Sequence, residues 1–377
     1  MKWRQEPLGK GALVGLAIFA ILIFYAAEHT ARPIQQPRYK TKLRAAELDQ
    51  QAQRAIATYL HEKGIKIDPR NDPWGTGLIG EERTPITSDR GVATAKTLAT
   101  NPNFAAAFVE LLNRAGVKKG DVVAAGMTGS LPGWDVAFFA ACQAMELKPI
   151  SIVSVGASDW GATRPDLTWL DMENIITKAN VWDDRSFAAS LGGGGDNGRG
   201  ISPAGRDMIK QAIARNNVQL IEDKSLEGII DRRMVLYDSL AANMGPMACY
   251  VNIGGGLANM GGSLNAKLIP PGVSRHFAKR NYPVRAVINR MAERGIPVIN
   301  LSNVVHIADM YNLPAVVGPE APAIGEGSLY FRDQFNTSTT IILTAVLMVV
   351  VFAVIRIDLR HLFFRRRSSV ATAQEHP

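Results

Sequence analysis

The chain has 377 residues, with 42 Lys and Arg against 34 Asp and Glu, giving a formal net charge of +8. The two ends, 1–29 and 336–377, hold 8 of the basic and 4 of the acidic residues, so the part between carries only +4. That balance does not indicate a nucleic-acid binder, and the absence of Cys-x-x-Cys or His-Glu-x-x-His spacing argues against a metal site.

In chain order, the first element is the uncharged run Gly11 to Ala27, and the last is the uncharged run Asn336 to Ile355. About 20 apolar residues in a helix cross a hydrocarbon core of about 30 Å, so both runs predict transmembrane helices, at 11–28 and 336–357. Lys2, Arg4 and Lys10 precede the first; Arg356, Arg360, Arg365, Arg366 and Arg367 follow the second. Short basic flanks stay on the cytoplasmic side. The prediction is a two-pass protein of the bacterial cytoplasmic membrane, with residues 1–10 and 358–377 cytoplasmic and 29–335 an extracytoplasmic domain. A cleaved signal peptide is the rival for the first run, whose length favours an uncleaved anchor.

Between the anchors, Leu48, Ala52, Ile56 and Leu60 recur at helical spacing and predict a helix over Ala45 to Lys63. Asp68 to Gly91 reads as an ordered loop, and Asn103 to Ala115 as a second helix. Six short apolar runs follow: Val122 to Ala125, Ile150 to Val155, Phe187 to Leu191, Val218 to Ile221, Cys249 to Ile253 and Pro297 to Leu301. Helical stretches accompany them at Trp134 to Met145, Pro203 to Asn216 and Val284 to Arg294. Apolar runs alternating with helices predict an α/β domain, an open, mostly parallel, Rossmann-like sheet with helices on both faces. Cys142 and Cys249 both lie in apolar patterns, and buried thiols and a disulfide remain alternatives.

Ligands of open α/β sheets bind beyond the carboxyl ends of the strands, which makes four loops candidates. The first holds Thr128, Gly129 and Ser130 before Pro132: Ser130 could cap the helix, the loop could bind an anion, or Ser130 or Thr128 could be a nucleophile. The second holds Ser158 and Asp159. The third is the run around Gly193 and Gly194, where Arg199 could pair with an anion. The fourth contains Gly254, Gly255 and Gly256. It lacks Gly-x-Gly-x-x-Gly spacing, and no Gly-x-x-x-x-Gly-Lys-Ser/Thr occurs, so neither a dinucleotide cofactor nor ATP is expected. Of six histidines, His276 and His306 are the candidates for a base serving Ser130. Arg275, His276, Lys279, Arg280, Arg285 and Arg290 form a local basic stretch.

Several of these motifs together resemble the poly-γ-glutamate system protein family: Gly77-Leu-Ile-Gly80 with Thr84-Pro-Ile-Thr87, Gly126-Met-Thr-Gly-Ser-Leu-Pro-Gly133, Gly156-Ala-Ser-Asp-Trp-Gly161 and Asn252-Ile-Gly-Gly-Gly256. The resemblance covers most of the chain, terminal anchors included. It implies an accessory protein of poly-γ-glutamate (capsule polymer) biosynthesis or export, working beside synthase subunits: an ATP-dependent ligase and a multi-spanning subunit. It carries over no catalytic residues. Three functions follow as expectations: handling of the anionic γ-glutamyl polymer at the outer face, a hydrolase or transferase acting on γ-glutamyl bonds, or a structural scaffold of the complex.

Overall fold

The computed structural model describes residues 9–276 and 281–356. They divide into two compact units, one made of the terminal segments up to 35 and from 331, the other of residues 36–330. The terminal unit contains helices Lys10–Glu28 and Thr337–Arg356, which contact each other but bury no residue. An antiparallel ribbon accompanies them, pairing Arg32 with Gln334 and Gln35 with Phe331. At 19 and 20 residues, and about 1.5 Å of rise per residue, both helices are long and apolar enough to cross a membrane. Lys2, Arg4, Arg360 and Arg365 to Arg367 lie outside the described residues, as do Lys279 and Arg280.

The central unit is built on a seven-stranded mixed sheet. Its strands are β1 (Val122–Thr128), β2 (Lys148–Ser154), β3 (Ala188–Ser190), β4 (Gln219–Leu220), β5 (Met247–Ile253), β6 (Gly272–Ser274) and β7 (Val298–Leu301). Their spatial order is β4-β3-β2-β1-β5-β7-β6, parallel throughout except for the antiparallel β6 edge. The six apolar runs of the sequence are the six parallel strands. The chain therefore starts at the centre, winds outward through β2 to β4, then crosses back to β5. The winding direction reverses between β1 and β5, and such a reversal opens a crevice at the carboxyl ends of the two strands.

Both faces of the sheet are covered. On one, Val251, Ile299 and Leu301 meet Phe108, Leu111, Leu112 and Phe138 of helices Asn103–Ala115 and Pro132–Met145. On the other, Ala124, Ile152 and Tyr250 pack against Ile229, Ile230, Met234 and Tyr237 of helix Leu226–Met244 and against Val287 and Met291. The two sets alternate along β5, because successive strand side chains point to opposite faces. Gly126 in β1 is required by this packing: a Cβ there would lie 2.2 Å from the Tyr250 hydroxyl and 2.5 Å from Asn259. Cys142 and Cys249 are both buried free thiols.

Candidate functional site

The four glycine-bearing loops meet. Thr128, Ser130, Ser158, Gly193, Gly194, Arg199, Gly254, Gly255 and Gly256 line one cavity of about 890 Å³ at the carboxyl end of the sheet, together with residues from the segments 88–96 and 302–305. Its centre is the crevice between β1 and β5. Gly254 sits there at φ +86°, and a Cβ would stand 2.5 Å from Thr128 Oγ1, so only glycine lets the two loops come together without strain. Gly129 serves the neighbouring junction, where a Cβ would lie 2.6 Å from the Val155 carbonyl oxygen.

The floor is a buried polar network. Arg233, fully buried in helix Leu226–Met244, pairs with Asp196 at 2.8 Å and donates to Ser190 Oγ (2.7 Å), Ser154 Oγ (2.9 Å) and Asn259 Oδ1 (2.7 Å). Both serine hydroxyls also donate to Asp196, each at 2.7 Å. A buried ion pair needs such extra hydrogen bonds to offset desolvation. Here they tie the glycine loop that carries Asp196 to the ends of β2 and β3. Arg233 stands in the apolar stripe Ile229, Ile230, Met234 and Tyr237, at helical spacing. A charge in that stripe conceals the helix from sequence reading.

Lys96, on helix Ala93–Ala99, is a cavity-lining residue that the motifs miss. It is only 6% exposed, yet it lines the cavity. Its Nζ donates to the Ser130 carbonyl oxygen and to Ser158 Oγ at 2.7 Å, and no carboxylate lies within 4 Å among the described residues. Burial pushes its pKa from 10.5 down to about 8, against the more distant charges of Asp135 and Asp159. The signal in the sequence was a single lysine in the small-residue helix Ala93-Thr-Ala-Lys-Thr-Leu-Ala99. Asp135 is fully buried with neither carboxyl oxygen hydrogen-bonded. Burial, with the charge of Glu173, holds its carboxyl well above the usual range.

No family model, curated protein or solved structure matches the chain.

The structure revises several roles expected from sequence. Ser130 does not cap the helix that follows; Leu131 is the N-cap and offers no side-chain acceptor. Instead Ser130 Oγ accepts the Ser158 backbone N–H at 3.0 Å. Thr128 is buried, and its hydroxyl has no partner among the described residues. Neither histidine lines the cavity. His306 is exposed on helix Val304–Met310, its backbone N–H bonded to Asn303. His276 follows β6, whose end at Ser274 pairs with Val298 at the start of β7. It lies at the amino ends of the parallel strands, the opposite end from the cavity, because β6 runs antiparallel to its neighbour, and it is not placed to serve Ser130.

Asp159 is buried and does not line the cavity; it accepts from Arg83 at 3.4 Å and from the Gly91 N–H at 3.2 Å, bracing the cavity wall. Arg199 is exposed and, among the described residues, has no carboxylate partner. The same holds for Arg90. The backbone N–H groups of Ser130, Gly255 and Gly256 likewise find no acceptor among the described residues. The cavity therefore offers three cations without close carboxylate partners and three backbone N–H groups without a protein acceptor among the described residues. Its own acidic groups are Asp89, exposed at the rim, and Asp196, neutralised from behind by Arg233. Such an arrangement of donors and cations is chemically suited to an anion such as a carboxylate.

Proposed function

We propose that this chain is a membrane-anchored accessory protein of poly-γ-glutamate biosynthesis or export that handles the anionic polymer outside the cytoplasm. The observation that carries the reading is the convergence of four glycine-bearing loops on one cavity with Lys96, Arg90 and Arg199. A γ-glutamyl chain presents a carboxylate on every repeat, and each charge-assisted hydrogen bond to one contributes about 1.5–3 kcal/mol. The strand order is compatible with a Rossmann-like reading, in which a polymer segment would occupy the switch crevice. The terminal helices and the basic residues at Lys10 and Arg356 support a two-pass topology with both ends cytoplasmic. In that topology the polymer passes from the ligase and multi-spanning subunit to the cavity of the central unit.

The test uses the full chain in detergent micelles with a fluorescent γ-glutamyl decamer, followed by anisotropy. Binding is expected to weaken at least tenfold between 50 and 300 mM salt, and at least tenfold again in the Arg90→Ser/Arg199→Ser variant. Equal binding by the variant, or equal affinity for a neutral polymer of similar length, removes the reading.

A further inference from the structure

Ser158 and Lys96 form a pair whose chemistry goes beyond binding. The Lys96 ammonium and the Ser158 hydroxyl are 2.7 Å apart, both on the cavity wall. Lys96 is held by a second bond, to the Ser130 carbonyl oxygen. Ser158 is held by its backbone: its N–H donates to Ser130 Oγ at 3.0 Å, and the next N–H, of Asp159, donates to the Asp89 carbonyl at 3.0 Å. Trp160 follows in the left-handed region at φ +59°. The hydroxyl is therefore placed at the end of the short strand Ala157–Ser158, which follows β2 and pairs in parallel with Thr87–Asp89. The Ser158 side chain is only partly buried, so a substrate in the cavity reaches it.

A structural tie between two loops does not explain the choice of lysine. Burying an ammonium with no carboxylate partner is costly, and a neutral donor would make the same two bonds without that penalty. Buried, perturbed amines on a cavity wall are instead characteristic of general bases, which need a neutral fraction near pH 7. With its pKa near 8, roughly a tenth of Lys96 is neutral at pH 7, several hundred times the fraction in an unperturbed lysine.

We propose that Ser158 and Lys96 are a nucleophile–base dyad that cleaves or transfers amide bonds whose acyl group carries a free carboxylate. The substrate class, a γ-glutamyl amide, rests on the polymer-handling reading above; the dyad itself does not. Neutral Lys96 Nζ takes the Ser158 hydroxyl proton as Oγ bonds to the amide carbonyl carbon. Oxyanion stabilisation would fall to backbone N–H groups of the cavity lining that have no protein acceptor among the described residues, those of Ser130, Gly255 and Gly256. Collapse breaks the carbon–nitrogen bond, and the Lys96 ammonium returns its proton to the departing amine. The Ser158 ester then yields to water, which loses a proton to Lys96, or to the amine of another chain. Hydrolysis or transfer leaves both side chains as they began. Arg90 and Arg199 bind the substrate carboxylates, and Ser130 is a positioning residue that orients Ser158 through its backbone.

The test labels the full chain, in detergent, with a fluorophosphonate, a reagent that phosphonylates activated serines, and locates the adduct by peptide mass spectrometry. Binding of the γ-glutamyl decamer is measured on the same samples. The expected result is an adduct on Ser158 that forms at a rate rising with pH through a midpoint near 8. The rate falls at least tenfold in Lys96→Met, and the adduct is absent in Ser158→Ala. Ser158→Cys keeps the position next to Lys96 and is expected to alkylate with iodoacetamide at least tenfold faster than the same cysteine in Ser158→Cys/Lys96→Met, a check that does not depend on the alanine variant. No adduct on Ser158 in the folded protein, or a rate unchanged by Lys96→Met, overturns the dyad. Decamer binding without labelling keeps the polymer reading and ends the dyad; labelling without decamer binding does the reverse.

Discussion

Replacing Lys96 with methionine is expected to stabilise the protein at neutral pH while removing its proposed chemistry. The folded state holds the Lys96 pKa at about 8 against 10.5 in the unfolded chain. Between those two values the native state carries fewer protons than the unfolded state, so stability rises with pH and is lost as pH falls. At about 1.36 kcal/mol per pH unit, charging Lys96 at pH 7 opposes folding by about 3 kcal/mol. Methionine removes that opposition and keeps most of the side-chain volume. It also removes the bonds to the Ser130 carbonyl and Ser158 Oγ, together about 2 kcal/mol. The net effect at pH 7 is a stabilisation of about 1 kcal/mol. By pH 10.5 the native and unfolded lysines differ little, and only the lost hydrogen bonds remain, so the variant is less stable by about 2 kcal/mol. The assay is denaturant unfolding of wild type and variant side by side from pH 7 to 10.5, in which the ionisation of other groups cancels. A change of sign in the difference is the expected result. A difference that stays constant across that range refutes the reasoning, because the lysine would then be no harder to charge in the folded state than in the unfolded one.

Other positions make comparable predictions. Burial raises the Glu173 pKa from 4.5 to about 7 despite hydrogen bonds from Ser186 and Trp169, so its contribution to stability falls as pH rises through that window, by about 3 kcal/mol; in urea unfolding between pH 5 and 7, Glu173→Gln is expected to show a shallower loss of stability than wild type, the difference being the Glu173 contribution. Asp196→Ala strands the fully buried Arg233 and is expected to lower stability by about 3–5 kcal/mol, while Asp196→Leu with Arg233→Met recovers much of it in the same assay. Cys142 and Cys249 are buried, with burial pushing both thiols up. Neither is expected to react with a maleimide in the folded protein, and reducing agent leaves the unfolding midpoint unchanged.

Much of the architecture was legible because its signals are local. The parallel strands are short apolar runs, and helix Asn103–Ala115 shows its period openly and ends at Gly116, φ +95°. β6 escaped because it is three residues of an edge, with Val273 and Ser274 only partly buried. Helix Leu226–Met244 escaped because Arg233 interrupts its apolar stripe, and its partner Asp196 lies 37 residues away in sequence. The same distinction divides the site. The glycine loops announce themselves by composition, and Ser158 was visible as a loop residue after a strand. Lys96 became a candidate only through its contact with Ser158, 62 residues further along. The histidines attracted attention by residue type, but strand direction decides which end of the sheet a loop occupies, and His276 follows the strand that runs the other way.

The central claim is that one cavity at the carboxyl end of the sheet receives γ-glutamyl carboxylates. A structure of the full chain with a γ-glutamyl pentamer, in the Ser158→Ala form so that the ligand stays intact, tests it most directly. The expected result is ligand carboxylates bonded to Arg199, Arg90 and the N–H groups of Ser130, Gly255 and Gly256, with an amide carbonyl against residue 158. A pentamer bound elsewhere on the surface, or a cavity left without ligand at concentrations that saturate binding in solution, contradicts it.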